Sequence, residues 1–257
     1  MVRGMEMTCV RESKRFLVYD HVLAEQAQKQ LWTFCQMASY DSVHRHGWKK
    51  VWRIEDGDVL QGPSFEFQRD AKEKMCETSG IEGAPDALSA LMEVVFAQAL
   101  KNEQLVGVYG DAWRRLSAQL YLYPMGTGLS WHGDSSVYSG AFTYYAHPEW
   151  NIDWGGELLI SETMSTEVRK HAQKVALLDG SDENRTGLEL VDVGPALNND
   201  AQNKALGERG CGDFIMPKRN RLVLLKGGVL HKINPVSVAA GNHARSSISG
   251  FFKLENK

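Results

Sequence analysis

The stretch Arg115–Tyr123, RLSAQLYLY, alternates apolar and polar side chains along its whole length. Side chains of a β-strand point in turn to opposite faces of the sheet, so this alternation predicts a strand with one apolar and one polar face. Short runs bounded by Gly, Pro, Asn or Asp predict further strands at 16–19, 141–146, 156–160, 220–226 and 246–253. The second half of the chain is therefore predicted to form an antiparallel sandwich or jelly roll.

The first half of the chain has helical periodicity instead. Apolar residues recur at helical spacing over 23–38 and again over Asp86–Lys101, where Pro85 lies at the start. Between these helices, 48–67 shows no sustained period and is predicted to form irregular loops with short strands. The predicted fold class is α+β, with the helices packed outside the sheets.

The composition excludes several classes of protein. With 43% hydrophobic and 24% charged residues, the 257-residue chain is neither disordered nor collagen-like. The 29 Lys and Arg against 32 Asp and Glu give a net charge of -3, so no overall attraction to nucleic acid or to an anionic membrane is expected. The length fits one large domain or two small ones.

Cysteine spacing and hydropathy indicate the compartment. Cys9, Cys35, Cys76 and Cys211 are far apart and form no CxxC pair, which argues against a disulfide framework and a zinc ribbon. The first residues lack the apolar run of a signal peptide, and no stretch approaches the roughly 20 apolar residues of a membrane helix. These features predict a cytoplasmic protein that works in a reducing environment.

A long segment interrupts the series of strands at 161–212. It contains about 50 residues rich in charge, Asn and Asp, whereas ordinary connections have about 4 to 6 residues. Insertions of this length form lids or binding loops, or else surface excursions without a role. The sequence leaves both alternatives open.

Three separated residues carry the chemistry. In His132-Gly133-Asp134 the imidazole and the carboxylate project to the same side of an extended chain, although such a tripeptide alone is also typical of a surface turn. His231 follows the strongly apolar run at 222–225. Two imidazoles and one carboxylate form the facial triad of non-haem iron(II) oxygenases. Arg245, 14 residues beyond His231, offers a guanidinium that can bind a carboxylate.

This order of residues resembles the iron(II)/2-oxoglutarate-dependent dioxygenases, and the flanking sequence resembles their prolyl-4-hydroxylase-like branch. The flanking matches are Tyr123-Pro124, Gly126-Thr127-Gly128, Thr143-Tyr144-Tyr145, Trp150, Gly155-Gly156-Glu157-Leu158 and Asn220-Arg221-Leu222-Val223-Leu224. They span about residues 115 to 253, while 1–110 resembles the family only loosely. The resemblance implies one dioxygenase domain over 1–257: a double-stranded β-helix (jelly-roll, cupin-like) core at 111–257, supported by helices and loops at 1–110.

The resemblance also assigns roles to residues. Fe(II) would be held by His132, Asp134 and His231. The distal carboxylate of 2-oxoglutarate would bind Arg245 and Tyr145, with Tyr123 lining the same pocket and Ser247 as a further polar contact. Trp52 and Arg53 are candidates for substrate contact, although packing or surface roles are the favoured alternative for both.

Two further histidines, His147 and His243, are not expected to be metal ligands. His147 stands where relatives commonly carry Asn, and the ligand spacing gives it no place in the triad, so a surface position or a position behind the ligands is expected. His243 lies close to Arg245, but His231 follows the apolar strand as the family pattern requires. The 161–212 insertion departs most, because the protein hydroxylases of the family join the corresponding strands by a short turn.

The resemblance implies that the chain uses O2 and 2-oxoglutarate to oxidise an unactivated C–H bond, releasing succinate and CO2. The leading hypothesis is hydroxylation, or a related oxidation, of a small molecule such as an amino-acid derivative, a sugar or a natural product. The alternative is hydroxylation of a prolyl or other residue in a protein or peptide. A third class is a metal-binding barrel without catalysis. An insertion folded across the mouth of the site would favour the small molecule, and one projecting outward would favour the peptide.

Overall fold

The computed structural model of the chain describes residues 6–46, 52–70, 74–78, 85–134, 137–164, 206–208 and 210–254. The named α-helices are α1 (Glu25–Met37), α2 (Asp86–Lys101) and α3 (Glu103–Val106), and residues 206–208 are also helical. The strands are β1 (Thr8–Glu12), β2 (Phe16–Asp20), β3 (Asp41–Ser42), β4 (Leu60–Arg69), β5 (Met75–Glu77), β6 (Arg115–Tyr123), β7 (Leu129–His132), β8 (Tyr138–Tyr145), β9 (Leu158–Met164), β10 (Gly212–Ile215), β11 (Arg221–Lys226), β12 (Val229–Ile233) and β13 (Arg245–Lys253). No helix in the described ranges is both long and apolar enough to span a membrane.

These strands form two antiparallel sheets. The larger sheet has the order β1-β2-β11-β8-β13-β6-β4-β3, with β5 paired to β4, and the smaller sheet has the order β10-β9-β12-β7. From β6 to β13 the chain passes back and forth between them: β6, β8, β11 and β13 belong to the larger sheet and β7, β9, β10 and β12 to the smaller one, where β9 and β10 follow each other. This topology is consistent with the predicted jelly-roll-like core.

Two hydrophobic clusters lie on the two faces of the larger sheet. One fills the space between the sheets, where Val223 of β11 meets Ile160 and Ile233 of the smaller sheet. The other contains the buried faces of α1 and α2 together with the opposite face of the larger sheet. The alternation in β6 follows this division: Leu116, Ala118 and Leu120 belong to the helix-side cluster, whereas Tyr121 and Tyr123 face the space between the sheets. The polar face of β6 is therefore an interior surface.

Most predicted elements are confirmed, with small shifts at their ends. The strand Arg115–Tyr123 and the helix Asp86–Lys101 have the predicted bounds. The first helix begins two residues later than predicted, because Ala24 has an extended backbone. Strand β9 was predicted to end at Ile160 but continues to Met164, and Ser161 pairs with Gly212 of β10. The first residues assigned to the 161–212 insertion are therefore strand, and most of the remainder lies outside the described residues.

Over 48–67, where irregular loops with short strands are predicted, the second half forms one strand that is longer than predicted. Residues from Leu60 onward form β4, a ten-residue strand that pairs with β6. Its register shifts between Gln61 and Ser64, around Gly62-Pro63, which hides the alternation in the sequence. A Cβ at Gly62 would lie 2.8 Å from a ring carbon of Tyr40. Glycine therefore leaves the space that the Tyr40 ring occupies beside the strand.

Candidate metal centre

Two adjacent strands of the smaller sheet bring the predicted ligands together. His132 ends β7 and lies directly opposite His231 of β12 in the antiparallel register. Asp134 follows β7 by two residues, and its Oδ1 lies 3.9 Å from His132 Nε2 and 4.0 Å from His231 Nε2. One ligand atom from each of the three residues lies within 4.8 Å of the others, a spacing that can hold a metal ion. The three residues predicted as ligands therefore converge.

Backbone carbonyls fix the orientation of both imidazoles. His132 Nδ1 lies 2.8 Å from the carbonyl oxygen of Ser130, and His231 Nδ1 lies 2.9 Å from that of Val229. A carbonyl only accepts hydrogen bonds, so each Nδ1 carries the proton and donates it. Each Nε2 is left with a free lone pair, the form in which histidine binds a metal.

The electrostatics of the triad favour a cation. Burial lowers the pKa of His132 well below its usual range, and the neighbouring His231 lowers it further, so His132 is neutral at physiological pH. Burial raises the pKa of Asp134, while His231 acts in the opposite direction. A bound cation would compensate the buried carboxylate and would require both imidazoles in their neutral form.

The triad lines a cavity of about 110 Å³ between the two sheets. Aromatic rings of Trp52, Tyr121, Tyr123 and Phe251 form much of its wall. Its further polar groups include the hydroxyls of Thr143 and Ser249, which lie 2.9 Å apart and bond to each other across the sheet. Among the described residues that line it, Asp134 is the only acid and no Lys or Arg is present. Apart from the triad, the described lining of the cavity therefore carries no charged side chain.

Arg245 begins β13 opposite Tyr123 of β6 and is completely buried. Its guanidinium carbon lies 4.9 Å from the ring centroids of both Tyr123 and Tyr145. Its Nε donates to the Gly156 carbonyl at 2.9 Å and its Nη1 to Ser247 Oγ at 3.3 Å. Gly156 has a φ of +73°, and a Cβ there would lie 2.9 Å from Arg245 Cδ. Glycine at this position therefore leaves room for the guanidinium.

Two polar atoms beside Arg245 have no partner in the part of the chain that the structure describes. They are Arg245 Nη2 and the Tyr145 hydroxyl, and both are buried. Arg245 opposes the rise that burial causes in the pKa of Tyr145, but the two side chains are not in hydrogen-bonding geometry. Unpaired buried donors are rare in folded proteins and indicate a missing ligand or water. These two atoms suit an anion.

The remaining predicted residues lie at different distances from the cavity. Trp52 lines the cavity and packs 6.0 Å from the Tyr121 ring, whereas Arg53 is buried but is not among the lining residues. Tyr123 lines the cavity, and Arg245, Tyr145 and Ser247 lie behind it.

The two other histidines lie outside the triad. His147 is buried, so the surface alternative is wrong; its ring nitrogens contact the carbonyls of Ser246 at 3.2 Å and Pro217 at 2.9 Å. Burial lowers the pKa of His147 to about 4. His243 stacks on Trp154, with ring centroids 4.3 Å apart. Neither belongs to the group of ligand atoms at the metal position.

Sequence reasoning did not assign a role to Tyr121. It lies in the cavity wall, where burial and Asp134 raise its pKa to about 12, so its hydroxyl stays protonated. The signal was present, because Tyr121 shares the polar face of β6 with Tyr123. The hydrogen bond between the side chains of Asp56 and Ser130 was also not predicted, because nothing in the sequence near either residue indicates it.

Comparison with known proteins gives the fold. No family model matches the chain, and no curated protein matches it. Among solved structures it is similar to a prolyl-4-hydroxylase from Pseudomonas putida, at 13% identity and a TM-score of 0.56, over 94% of this chain and 93% of that one. It is also similar to a prolyl hydroxylase from Trichoplax adhaerens in complex with a hypoxia inducible factor oxygen degradation domain peptide fragment, at 15% identity and a TM-score of 0.51, over 94% and 84%. A third similar structure, IDO from Bacillus thuringiensis, has 11% identity and a TM-score of 0.53 over 95% and 94%. The chain has the fold of these structures, which bears out the predicted resemblance at the level of fold.

Proposed function

We propose that this chain is an iron(II)- and 2-oxoglutarate-dependent oxygenase that oxidises a C–H bond of a small molecule. The observation that carries the proposal is the convergence of two imidazole Nε2 atoms and one carboxylate in an interior cavity. This donor set matches the triad of non-haem iron(II) oxygenases, which leaves coordination positions open. The fold supports the same class of enzyme.

The residues present fit iron(II). His132 and His231 offer imidazole Nε2 atoms whose rings are oriented by backbone carbonyls, and Asp134 offers a carboxylate. Zinc sites with thiolate ligands are a poor match, because no Cys belongs to this ligand group among the residues that the structure describes. We assign His132, Asp134 and His231 as the iron ligands.

The surroundings of Arg245 fit the distal carboxylate of 2-oxoglutarate. Arg245 is fully buried, and no carboxylate of the described residues forms an ion pair with it. A buried charge without a counterion is costly, and a ligand carboxylate would supply that counterion. The free Arg245 Nη2 and the Tyr145 hydroxyl would donate to it, with Ser247 beside them and Tyr123 forming the wall towards the cavity.

The protein contributes orientation and exclusion of water. Iron and 2-oxoglutarate, when bound, would supply the oxidant for the C–H bond, with succinate and CO2 as co-products. Carbonyl contacts hold the two imidazoles, and Arg245 would hold the cosubstrate at its far end. The aromatic wall of Trp52, Tyr121 and Phe251 would keep water from the reacting carbon.

The small cavity, whose described lining carries no charged side chain apart from the triad, supports a compact substrate. Hydroxylation of a residue in a peptide is the second candidate, since two of the similar structures are prolyl hydroxylases and one of them holds a peptide fragment. A metal-binding barrel without catalysis is the candidate of another class. The uncompensated Arg245 argues against it, because such a barrel has no need of a buried cation.

A succinate assay distinguishes these candidates. The purified protein, with iron(II), 2-oxoglutarate and O2, is screened separately against small molecules and against proline-containing peptides, and product masses are recorded. Succinate that depends on a free small molecule and an added oxygen in that molecule would support the proposal. Activity confined to peptides would favour the second candidate, and absence of 2-oxoglutarate binding in the presence of metal would favour the third.

Tyr145→Phe should separate stability from cosubstrate binding. Removing a buried hydroxyl without a partner is expected to raise the free energy of unfolding of the protein without cofactors by about 1 kcal/mol. The same change removes a donor to the 2-oxoglutarate carboxylate and should weaken its binding about 10-fold. Chemical denaturation and 2-oxoglutarate titration measure the two effects.

Tyr144→Phe is the matched control for this prediction. Its hydroxyl donates to Asn220 Oδ1 at 3.0 Å on the other side of β8, so its loss should lower stability and leave 2-oxoglutarate affinity unchanged. If Tyr145→Phe bound 2-oxoglutarate as tightly as the unaltered protein, the assignment of Tyr145 to the carboxylate would be wrong.

A further inference from the structure

The loop at 52–59, here called the Asp56 loop, is attached to the strand that carries the first metal ligand. Trp52 and Val59 at its ends are buried, and the short 3-10 helix Ile54–Asp56 lies between them. Asp56 is only 3% exposed although it carries a carboxyl group. A buried carboxyl of this kind needs hydrogen bonds to be tolerated.

The hydrogen bonds of Asp56 lead to β7. Its Oδ1 accepts from Ser130 Oγ at 2.6 Å, and its Oδ2 accepts from the Arg53 backbone N–H at 2.7 Å. The backbone carbonyl of Asp56 accepts from the Gly128 N–H at 2.9 Å. The Ser130 hydroxyl also faces Glu55 Oε1 at 3.0 Å, but the contact with Asp56 is the shorter one. The loop is therefore joined to Gly128, just before β7, and to Ser130 within β7.

Ser130 connects the Asp56 loop to the metal ligand His132. Its side chain is bonded to Asp56, and its backbone carbonyl accepts the hydrogen bond from His132 Nδ1 at 2.8 Å. That second bond sets the tautomer and the ring plane of His132. A displacement of the Ser130 peptide would therefore turn the imidazole and misdirect its Nε2.

We propose that Asp56 is a positioning residue that, through Ser130, holds His132 in its metal-binding orientation and couples it to the Trp52 wall of the cavity. The inference rests on the proposed function only in that His132 binds a metal. His231 is held differently, because the carbonyl that accepts from its Nδ1 belongs to Val229, which has no polar side chain. The effect should therefore be specific to one of the two imidazoles. Partners of metal-ligating histidines typically change metal affinity by about 10- to 100-fold when they are removed.

Cobalt(II) titration tests the proposal without turnover. Co(II) is added to the purified full-length protein, and its visible absorption reports both affinity and ligand arrangement. Ser130→Ala is expected to bind Co(II) about 10-fold more weakly and with an altered spectrum. Ser130→Thr retains the hydroxyl and should restore both. In the double variant Ser130→Ala with Asp56→Ala, the loss should not exceed that of the worse single variant, because both changes remove the hydrogen bond between the two side chains.

Ser42→Ala is the matched control. Ser42 Oγ donates to Asp58 Oδ1, also at 2.6 Å, and so holds the same loop from β3 without reaching β7. This variant should keep the affinity and the spectrum of the unaltered protein. Melting curves followed by circular dichroism set a titration temperature at which every variant is folded.

Several outcomes would overturn the positioning role of Asp56. They are unchanged Co(II) affinity and spectrum in Ser130→Ala, an equal loss in Ser130→Thr, an equal loss in Ser42→Ala, and additive losses in the double variant. If the unaltered protein itself bound no Co(II), or bound it equally after His231→Ala, the proposed metal site would fail, and the positioning role would fail with it.

Discussion

His132→Ala, Asp134→Ala and His231→Ala are each expected to abolish iron(II) binding and 2-oxoglutarate turnover. Each change removes one of three ligand atoms that lie within 4.8 Å of one another. Removing a residue that hydrogen-bonds to a metal ligand typically lowers metal affinity by about 10- to 100-fold. Removing the ligand itself should therefore lower the affinity further. Metal analysis after anaerobic loading and the succinate assay measure the two losses.

The fold should survive these three substitutions. The triad side chains lie at the wall of a cavity, and both imidazoles bond only to backbone carbonyls of their own strands. His243→Ala is the control, because His243 stacks on Trp154 outside the ligand group and its loss should leave iron binding intact. Undiminished iron and turnover in all three triad variants would refute the assignment.

The sequence predicts this centre because its determinants are local. His132 and Asp134 are two residues apart, and the apolar run before His231 predicts a strand that ends near the site. What the sequence does not contain is the register: His132 meets His231 only because β7 and β12 are neighbours in the smaller sheet. The family resemblance supplied the grouping of the three ligands but not the pairing of these two strands.

Contacts between distant segments account for what was missed. Asp56 and Ser130 are 74 residues apart in the chain, and neither stands in a motif that indicates the other. An Asp in a charged loop is normally exposed, so its burial follows from tertiary packing alone. The bounds and length of strand β4 were not predicted for a related reason: pairing with β6 stabilises it although Gly62-Pro63 interrupts its pattern.

Helix α2 shows the opposite case. The apolar residues that recur at helical spacing along α2 include Leu88, Leu91, Met92, Val95 and Ala99, and all five are buried. A helix with a continuous apolar stripe packs with that stripe towards the core, so the periodicity of the sequence predicts the buried face. The aromatic inner face of β6 could not be recognised in the same way, because tyrosine is compatible with a surface, a core or a cavity wall.

Arg245→Met is expected to raise the apparent KM for 2-oxoglutarate by about 10- to 150-fold, the equivalent of one charged hydrogen-bonding partner at about 1.5 to 3 kcal/mol. Methionine is chosen because it fills much of the same volume between Tyr123 and Tyr145 without a charge. Arg245→Lys should weaken binding less, since it keeps the charge and loses the planar fork. Titration of 2-oxoglutarate into metal-loaded protein measures affinity directly.

Although Arg245→Met should weaken 2-oxoglutarate binding, it should not lower the stability of the protein. In the protein without ligands, Arg245 is a fully buried cation with one unpaired nitrogen, so removing it should leave the melting temperature unchanged or higher. Added 2-oxoglutarate should then raise the melting temperature of the unaltered protein but not that of the variant, because only a ligand that binds the folded state stabilises it.

Arg15→Met provides the contrast for Arg245→Met. Arg15 bonds to Asp213 at 3.0 Å and to the Ser161 carbonyl at 2.5 Å at the other end of the core, so its loss should lower stability and leave 2-oxoglutarate affinity intact. An Arg245→Met protein with lowered stability and unchanged 2-oxoglutarate affinity would make Arg245 a structural residue. The cosubstrate carboxylate would then need a different cation. Arg53, buried beside Trp52, would be the next residue to test.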